Sequence, residues 1–267
     1  MSCPRLCDFR FNLNLVGIRG KSVSLEMGLI CHKIIEVFYR EIINGASRTK
    51  AMYTGFEAGK ALASNPEEVS NSSPDDIGLA FNTMEEYFDF YKNDFWIPLE
   101  VEVVKGEVLY EDDEVRVLWK AKLDAAVDTN QGIFPVDHKT MKQRRDSLTL
   151  NNQFIGQCLM MKTRQIIINK IGFQKTLKPH EKFTRPVLSY TADHLMEWQS
   201  EILPYYAKLM LMYSESGYWP PNYTHCENKY GVCNFADVCK ANPNMRETEL
   251  RNNFIVGKPW DPTNIEE

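Results

Sequence analysis

No stretch of the 267-residue chain reaches the about 18 consecutive apolar residues that a membrane-spanning helix needs. The densest apolar run, Leu29 to Phe38, is interrupted by His32, Lys33 and Glu36. The N-terminus shows no charged-then-apolar leader. A soluble, intracellular protein without a membrane partner is therefore expected. The chain also lacks internal repeats and low-complexity tracts, which excludes solenoid architectures. An even set of cysteines is missing too: seven are present, and with no sign of secretion a disulfide framework is not expected. Global disorder is excluded by a hydrophobic content of 43%, enough for a genuine core.

Charge is present but unevenly placed. The net value of -5 hides a segment, residues 139 to 185, with eleven Lys and Arg against only Asp146 and Glu181. Such a run is most often a solvated face, and it becomes a phosphate-binding surface only where neighbouring chemistry supports that. The cysteines are similarly clustered. Cys31 and Cys158 sit in apolar helical patterns and read as core, whereas Cys3 and Cys7 open the chain and Cys226, Cys233 and Cys239 crowd near its other end.

The periodicity predicts a mostly buried helix from about Ser24 to Ile43 and a second from Arg48 to Ala63. Asn65 to Asp76 reads as a surface loop, and Thr83 to Asp94 as a helix with Thr83 as its N-cap. Strand-like runs follow at Leu99 to Tyr110, Val115 to Asp128 and Ile133 to Lys139, forming an antiparallel meander. Then come a helix from about Leu148 to Met161, strands at Arg164 to Phe173 and Phe183 to Tyr190, and a final helix from Thr191 to Ser216 divided near Pro204. Residues 217–267 lack periodicity, so something other than a hydrophobic core is expected to order them.

The second and third strands carry the most informative residues, KLDAAVD (Lys122 to Asp128) and FPVDHKT (Phe134 to Thr140). A hairpin makes the two runs neighbours, which can bring Asp124 and Asp137 together. The two-residue period of a strand puts Asp137 and Lys139 on one face. An isolated Asp-x-Lys is usually a solvent-facing pair. Here Leu123, Ala125, Ala126, Val127 and Val136 frame the acids with apolar residues, and carboxylates in buried strands are costly unless they serve a metal. Oxygen ligands of this kind suit Mg²⁺ or Mn²⁺, and the chemistry they fit is phosphodiester hydrolysis. Glu100 and Glu102, on the preceding strand, could serve as acids of a second metal or as supports of the first, but an ordinary exposed pair is the favoured reading.

Four separated signatures in this order resemble the RecB-type exonucleases of the PD-(D/E)XK nuclease superfamily, a group that includes CRISPR-associated and phage-encoded nucleases. Gly28 to His32 (GLICH) matches the family's Gly-x-x-x-His, Asp124 its second acid, and Asp137-His138-Lys139 its Asp-x-Lys core. Gln153 to Gln157 (QFIGQ) matches its Gln-x-x-x-Tyr helix except that the last position is Gln. The resemblance implies a single α/β nuclease domain over residues 1–267 with a restriction-endonuclease-like core, a small mixed β-sheet flanked by helices. It implies metal binding by His32, Asp124, Asp137 and the His138 backbone carbonyl, with Lys139 orienting or activating the attacking water. Gln153 would contact DNA, and the basic residues that follow the catalytic lysine, Lys142, Arg144 and Arg145, would hold its phosphate backbone. The expected partner is DNA, single-stranded or with a free end, alongside recombination or replication proteins, in the cytoplasm of a bacterium or a phage-infected cell.

Cys226, Cys233 and Cys239 with an N-terminal cysteine make four thiolates, a set that binds zinc or a four-iron cluster. The resemblance implies a 4Fe-4S cluster rather than Zn²⁺, because iron-sulfur members place one Cys before the first motif and three at the C-terminus, the last two separated by five residues. Cys3, in the Cys-Pro-Arg start, is the expected fourth ligand, with Cys7 as the alternative. The cluster would pack the Cys-rich tail, residues 217–267, against the N-terminus. The motif lies close to residue 1, and a clipped start would explain that. The competing expectation is a catalytically silent nucleic-acid-binding module, or a recombination-complex subunit, with a structural zinc.

Overall fold

The computed structural model describes residues 3–18, 20–141, 150–228 and 231–258. The chain divides into two compact units. One comprises Lys21–Leu109 and Leu118–Trp198; the other comprises Met1–Gly20, Tyr110–Val117 and Gln199–Glu267.

The N-terminal segment holds a one-turn helix α1 (Pro4–Cys7), a π-helical turn and a short strand β1 (Leu15–Gly17). Helices α2 (Val23–Ile43), α3 (Arg48–Ala63) and α4 (Pro74–Phe90) precede strands β2 (Ile97–Glu111), β3 (Arg116–Thr129) and β4 (Gly132–Met141). Helix α5 (Asn152–Met160) leads to β5 (Gln165–Gly172), the one-turn α6 (Pro179–Lys182) and the short strands β6 (Phe183–Thr184) and β7 (Val187–Ser189). Helices α7 (Ala192–Glu197) and α8 (Leu203–Ser216) come next. The chain continues through strands β8 (Glu227–Asn228) and β9 (Gly231–Val232), helices α9 (Ala236–Lys240) and α10 (Arg246–Asn253), and strand β10 (Phe254–Val256).

The main sheet has the order β2-β3-β4-β5-β6, with β7 also pairing β5. β3 and β4 run antiparallel with Ala125 opposite Val136. β4 and β5 run parallel, with His138 beside Asn169 and Lys139 beside Lys170. A parallel pair needs a crossover, and α5 lies within it. The architecture is thus the mixed α/β sheet flanked by helices that the motifs imply. Its core is built on α2, whose Met27, Ile30, Cys31, Ile34, Ile35, Phe38 and Tyr39 are buried with Ala125, Val127 and Val136 of the sheet. Ile34 has no exposed surface, and truncating such a residue to Ala costs about 2–5 kcal/mol.

Helix α4 starts nine residues before the expected Thr83. Ser73 is its N-cap, Ser73 and Asp76 form a reciprocal capping box, and Pro74 takes the first helical position between them. Thr83 is mid-helix and buried, and its hydroxyl donates to the Leu79 carbonyl at 2.7 Å. The expected strand from Phe183 to Tyr190 is broken into β6 and β7 by Arg185 and Pro186, since Pro has no N–H for a ladder. The expected final helix is interrupted by a π-helical turn at Trp198–Ile202, and Pro204 falls in the first turn of α8, where a missing N–H costs nothing. Among the described residues, no helix is long and apolar enough to cross a membrane.

The second unit corrects one expectation about the tail. Phe9, Phe235, Val238 and Phe254 form a small core of their own, with Phe235 and Phe254 stacked at 4.4 Å. β1 pairs antiparallel with β10, Leu15 lying opposite Val256. Three aromatic residues drawn from three segments make no periodic signal, so this core is invisible along the sequence.

Candidate active site

The site residues sit where α2 meets the sheet. Gly28 makes that approach close: a Cβ placed on it would lie 2.8 Å from Thr140 Oγ1 of β4. His32 follows one turn later on the same face of α2, which carries its ring to the strands. His32 Nδ1 is 3.8 Å from Asp124 Oδ2. The same Asp124 oxygen accepts the main-chain N–H of His138 at 2.7 Å, which ties β3 to β4 at the site.

The third member of this group is Glu102, expected to be exposed. One donor atom from each of His32, Glu102 and Asp124 lies within 4.8 Å of the others. The Glu102 carboxylate is only 14% exposed and pairs with Lys122 at 2.6 Å. Its backbone explains why the sequence favours an exposed residue over a site acid here. Glu102 has φ = 53° in the middle of β2, a left-handed conformation that side-chain-bearing residues rarely adopt and that breaks simple alternation. Regular strand alternation would put Glu100, two residues earlier, on the same face. Instead Glu100 pairs with Lys105 at 2.6 Å.

Asp137 is buried and lies outside that group of three, held by its own partners. Lys139 Nζ is 2.7 Å from its Oδ2, and Gln153 Nε2 donates to its Oδ1 at 2.8 Å. Burial pushes both Asp124 and Asp137 above the ordinary carboxylate range, and each acid adds to this through like charges, Glu102 on Asp124 and Asp124 on Asp137. Burial also holds His32 below its usual value, leaving the neutral imidazole that can ligate a cation. Glu102 and Asp124 gathered beside a neutral imidazole, with the buried Asp137 adding like charge, are costly in isolation and would be relieved by a divalent cation. The donor set, carboxylate oxygens with one imidazole, fits Mg²⁺ or Mn²⁺.

Of the expected nucleic-acid contacts, Gln153 is described and bonds Asp137, while Lys142, Arg144 and Arg145 lie outside the described residues. Gln157, which stands where the family has Tyr, is buried, and its Oε1 has no hydrogen-bond partner among the described residues. Gly156 before it admits Trp119, whose ring atoms would lie about 2.4–2.6 Å from an added Cβ. The basic segment is not one continuous phosphate-binding face. Lys182 is buried and pairs with Glu86 at 2.5 Å, and Arg185 is paired with Asp94 at 2.6 Å. Both partners are more than ninety residues away, so the charge count along the chain could not register them.

In the other unit, Cys3, Cys226, Cys233 and Cys239 line one small cavity together with Arg5, Phe9, His225 and Phe235. Burial and then the neighbouring Cys239, Cys233 and Cys3 push the Cys226 thiol up, as expected of thiols facing a common point. The Asn222 N–H donates to Cys3 Sγ at 3.3 Å.

A mixed sheet with an acidic, lysine-bearing centre on its antiparallel hairpin defines a metal-dependent nuclease fold. The model of the PD-(D/E)XK nuclease superfamily matches residues 2–240, and the chain belongs to that superfamily. Among solved structures, it is similar to a provisionally named exonuclease from Eubacterium rectale, at 14% identity, with 85% of this chain and 80% of that one covered and a TM-score of 0.39. It is also similar to a protein named SSO0001, at 12% identity, with 64% and 74% covered and a TM-score of 0.29. No curated protein matches the chain.

Proposed function

We propose that this protein is a divalent-metal-dependent deoxyribonuclease that removes nucleotides from DNA ends without reading sequence. The observation that supports it most is the gathering of His32, Glu102 and Asp124 within 4.8 Å, in a site whose Asp137 is paired with Lys139. In this reading His32, Asp124, Asp137 and the His138 carbonyl hold Mg²⁺ or Mn²⁺, and Glu102 joins them. The ion, when bound, polarises the phosphodiester and makes hydroxide available near neutral pH. Asp124 is kept in place by the His138 N–H, and Gln153 aligns the Asp137 carboxylate. Lys139 orients the attacking water and balances charge that develops on the phosphate. Preference for ends rests on the RecB-type order of the motifs, and contact with the DNA backbone on Lys142, Arg144 and Arg145.

The same reading assigns Cys3, Cys226, Cys233 and Cys239 to a 4Fe-4S cluster. The cavity they line supports this ligand set, and Cys7 is not among its lining residues.

The deciding experiment compares end-labelled linear DNA with covalently closed circular DNA in Mg²⁺, in Mn²⁺ and in chelator. Metal-dependent loss of label with the circle spared is the expected result. Equal cutting of both substrates would make the enzyme an endonuclease. Binding without cleavage under every metal condition would favour the silent nucleic-acid-binding module.

A further inference from the structure

His138 stands at the centre of the site by its main chain, yet its side chain points into the protein, where it is buried. Its Nδ1 lies 2.7 Å from Asn169 Nδ2, on the residue beside it in β5. Asn169 has a second and a third partner: Nδ2 donates to Tyr87 Oη at 3.0 Å, and Oδ1 accepts from Arg185 Nε at 3.3 Å. Arg185 in turn donates to Tyr87 Oη at 2.8 Å and to Asp94 at 2.6 Å. Its guanidinium lies over the Tyr91 ring at 3.5 Å and over the Trp96 ring at 3.6 Å, a cation held in place by two aromatic rings as well as by a partly buried carboxylate.

This wiring has a direction. A guanidinium only donates, so the Asn169 oxygen must turn toward Arg185, and the amide nitrogen must then face His138 and Tyr87. An amide nitrogen only donates, so His138 Nδ1 must accept, and the proton of the neutral ring resides on Nε2.

We infer that Asn169, locked by Arg185, is a positioning residue of the nuclease site: it anchors the His138 ring, and so sets the main chain whose N–H holds Asp124 and whose carbonyl is offered to the metal. This rests on the metal-site reading proposed above. Outer partners of ligand-bearing residues typically change metal affinity by about 10–100-fold when removed. None of Asn169, Arg185 or Asp94 belongs to a recognisable motif.

Two measurements on the whole chain test it. The first is Mn²⁺ binding by calorimetry to the wild type, Asp124→Asn, Asn169→Leu and Asn169→Asp. Asn169→Leu should weaken binding by about 10–100-fold. Asn169→Asp should retain most of it, because its carboxylate still accepts from Arg185 and can accept from a His138 ring that moves its proton to Nδ1. Ile34→Val, a core change at a residue with no hydrogen bond into this network, should lower thermal stability and leave Mn²⁺ affinity unchanged. The second measurement is the ¹⁵N shift of His138, expected to report an Nε2-protonated ring in the wild type and an Nδ1-protonated ring in Asn169→Asp.

Unaltered Mn²⁺ affinity in Asn169→Leu, or an Nδ1-protonated wild-type ring, overturns the inference while the metal site stands. If Asn169→Leu fails to fold, weak binding by Asn169→Asp overturns it equally. Wild-type binding that is absent or insensitive to Asp124→Asn overturns the metal-site reading, and this inference falls with it.

Discussion

The main-chain N–H of His138 donates to Asp124 Oδ2 at 2.7 Å. One strand of the hairpin thereby grips the acid of the other, and Asp124 is set by a main-chain bond, whereas Asp137 is held by the side chains of Lys139 and Gln153. Residues 137 to 139 consequently serve several tasks: Asp137 and Lys139 face one another on one side of β4, while the His138 ring enters the interior on the other.

Replacing Asp137 or Lys139 by Ala should abolish metal-dependent DNA cleavage and leave a folded protein that still binds DNA, because both act on the reacting phosphate more than on the backbone. Cleavage assays paired with gel-shift binding check this. Unchanged cleavage in either variant would locate the activity elsewhere.

Glu102→Gln should weaken Mn²⁺ binding at least about tenfold while leaving thermal stability little changed, since the amide preserves the shape of the carboxylate but not its charge. Glu102→Gly should lose metal affinity too, yet gain from removing a left-handed strain at φ = 53°. Calorimetric titration and thermal melts together separate the two effects.

The raised Asp124 and Asp137 values give the pH dependence of the metal-free protein a definite sign. Both carboxyls shift upward to about 6 in the fold, against about 3.9 when unfolded. Between those values the folded state binds more protons than the unfolded one, so stability falls as pH rises through the window. Mn²⁺ must displace those protons, so its affinity should fall as the pH drops below about 6. Melting curves between pH 4 and pH 7.5, with and without Mn²⁺, read both effects.

Gly28→Ala should impair cleavage through geometry alone, because the new Cβ would meet Thr140 Oγ1 at 2.8 Å and push α2, with His32, away from the strands. Adding Thr140→Ala removes the obstructing oxygen and should restore part of the activity. The two changes should therefore be non-additive in a double-mutant cycle.

Anaerobically purified protein should be brown, with broad visible absorption from thiolate-bound iron and sulfide. Colourless protein with stoichiometric zinc would sink the iron assignment. A cluster that survives Cys3→Ser but not Cys7→Ser would move the fourth ligand.

Much of the site was legible along the chain because local periodicity carries it. A strand repeats every two residues, so Asp137 and Lys139 had to share a face. A helix brings residues four apart together, so Gly28 and His32 had to lie on the same side of α2. The hairpin of β3 and β4 follows from its apolar runs and the turn between them. By contrast, Glu102 joins the site through a left-handed φ that no spacing announces. The capping of α4 by Ser73 was hidden because a polar stretch reads as loop until its hydrogen bonds are seen.

Charge was the property least readable from order. Residues 139 to 185 count as strongly basic in one dimension, but Arg185 and Lys182 are neutralised by Asp94 and Glu86 from the segment before the sheet. The sequence by itself determined the element types, the carboxylate-lysine pairing and the superfamily's signatures, all of which depend on neighbours within a few residues. Only the tertiary structure decided which acids gather, which bases are buried, and that Asn169 stands beside His138. Those outcomes depend on strands and helices brought together across the chain, where a buried polar group must find its partner at whatever sequence distance the fold supplies one.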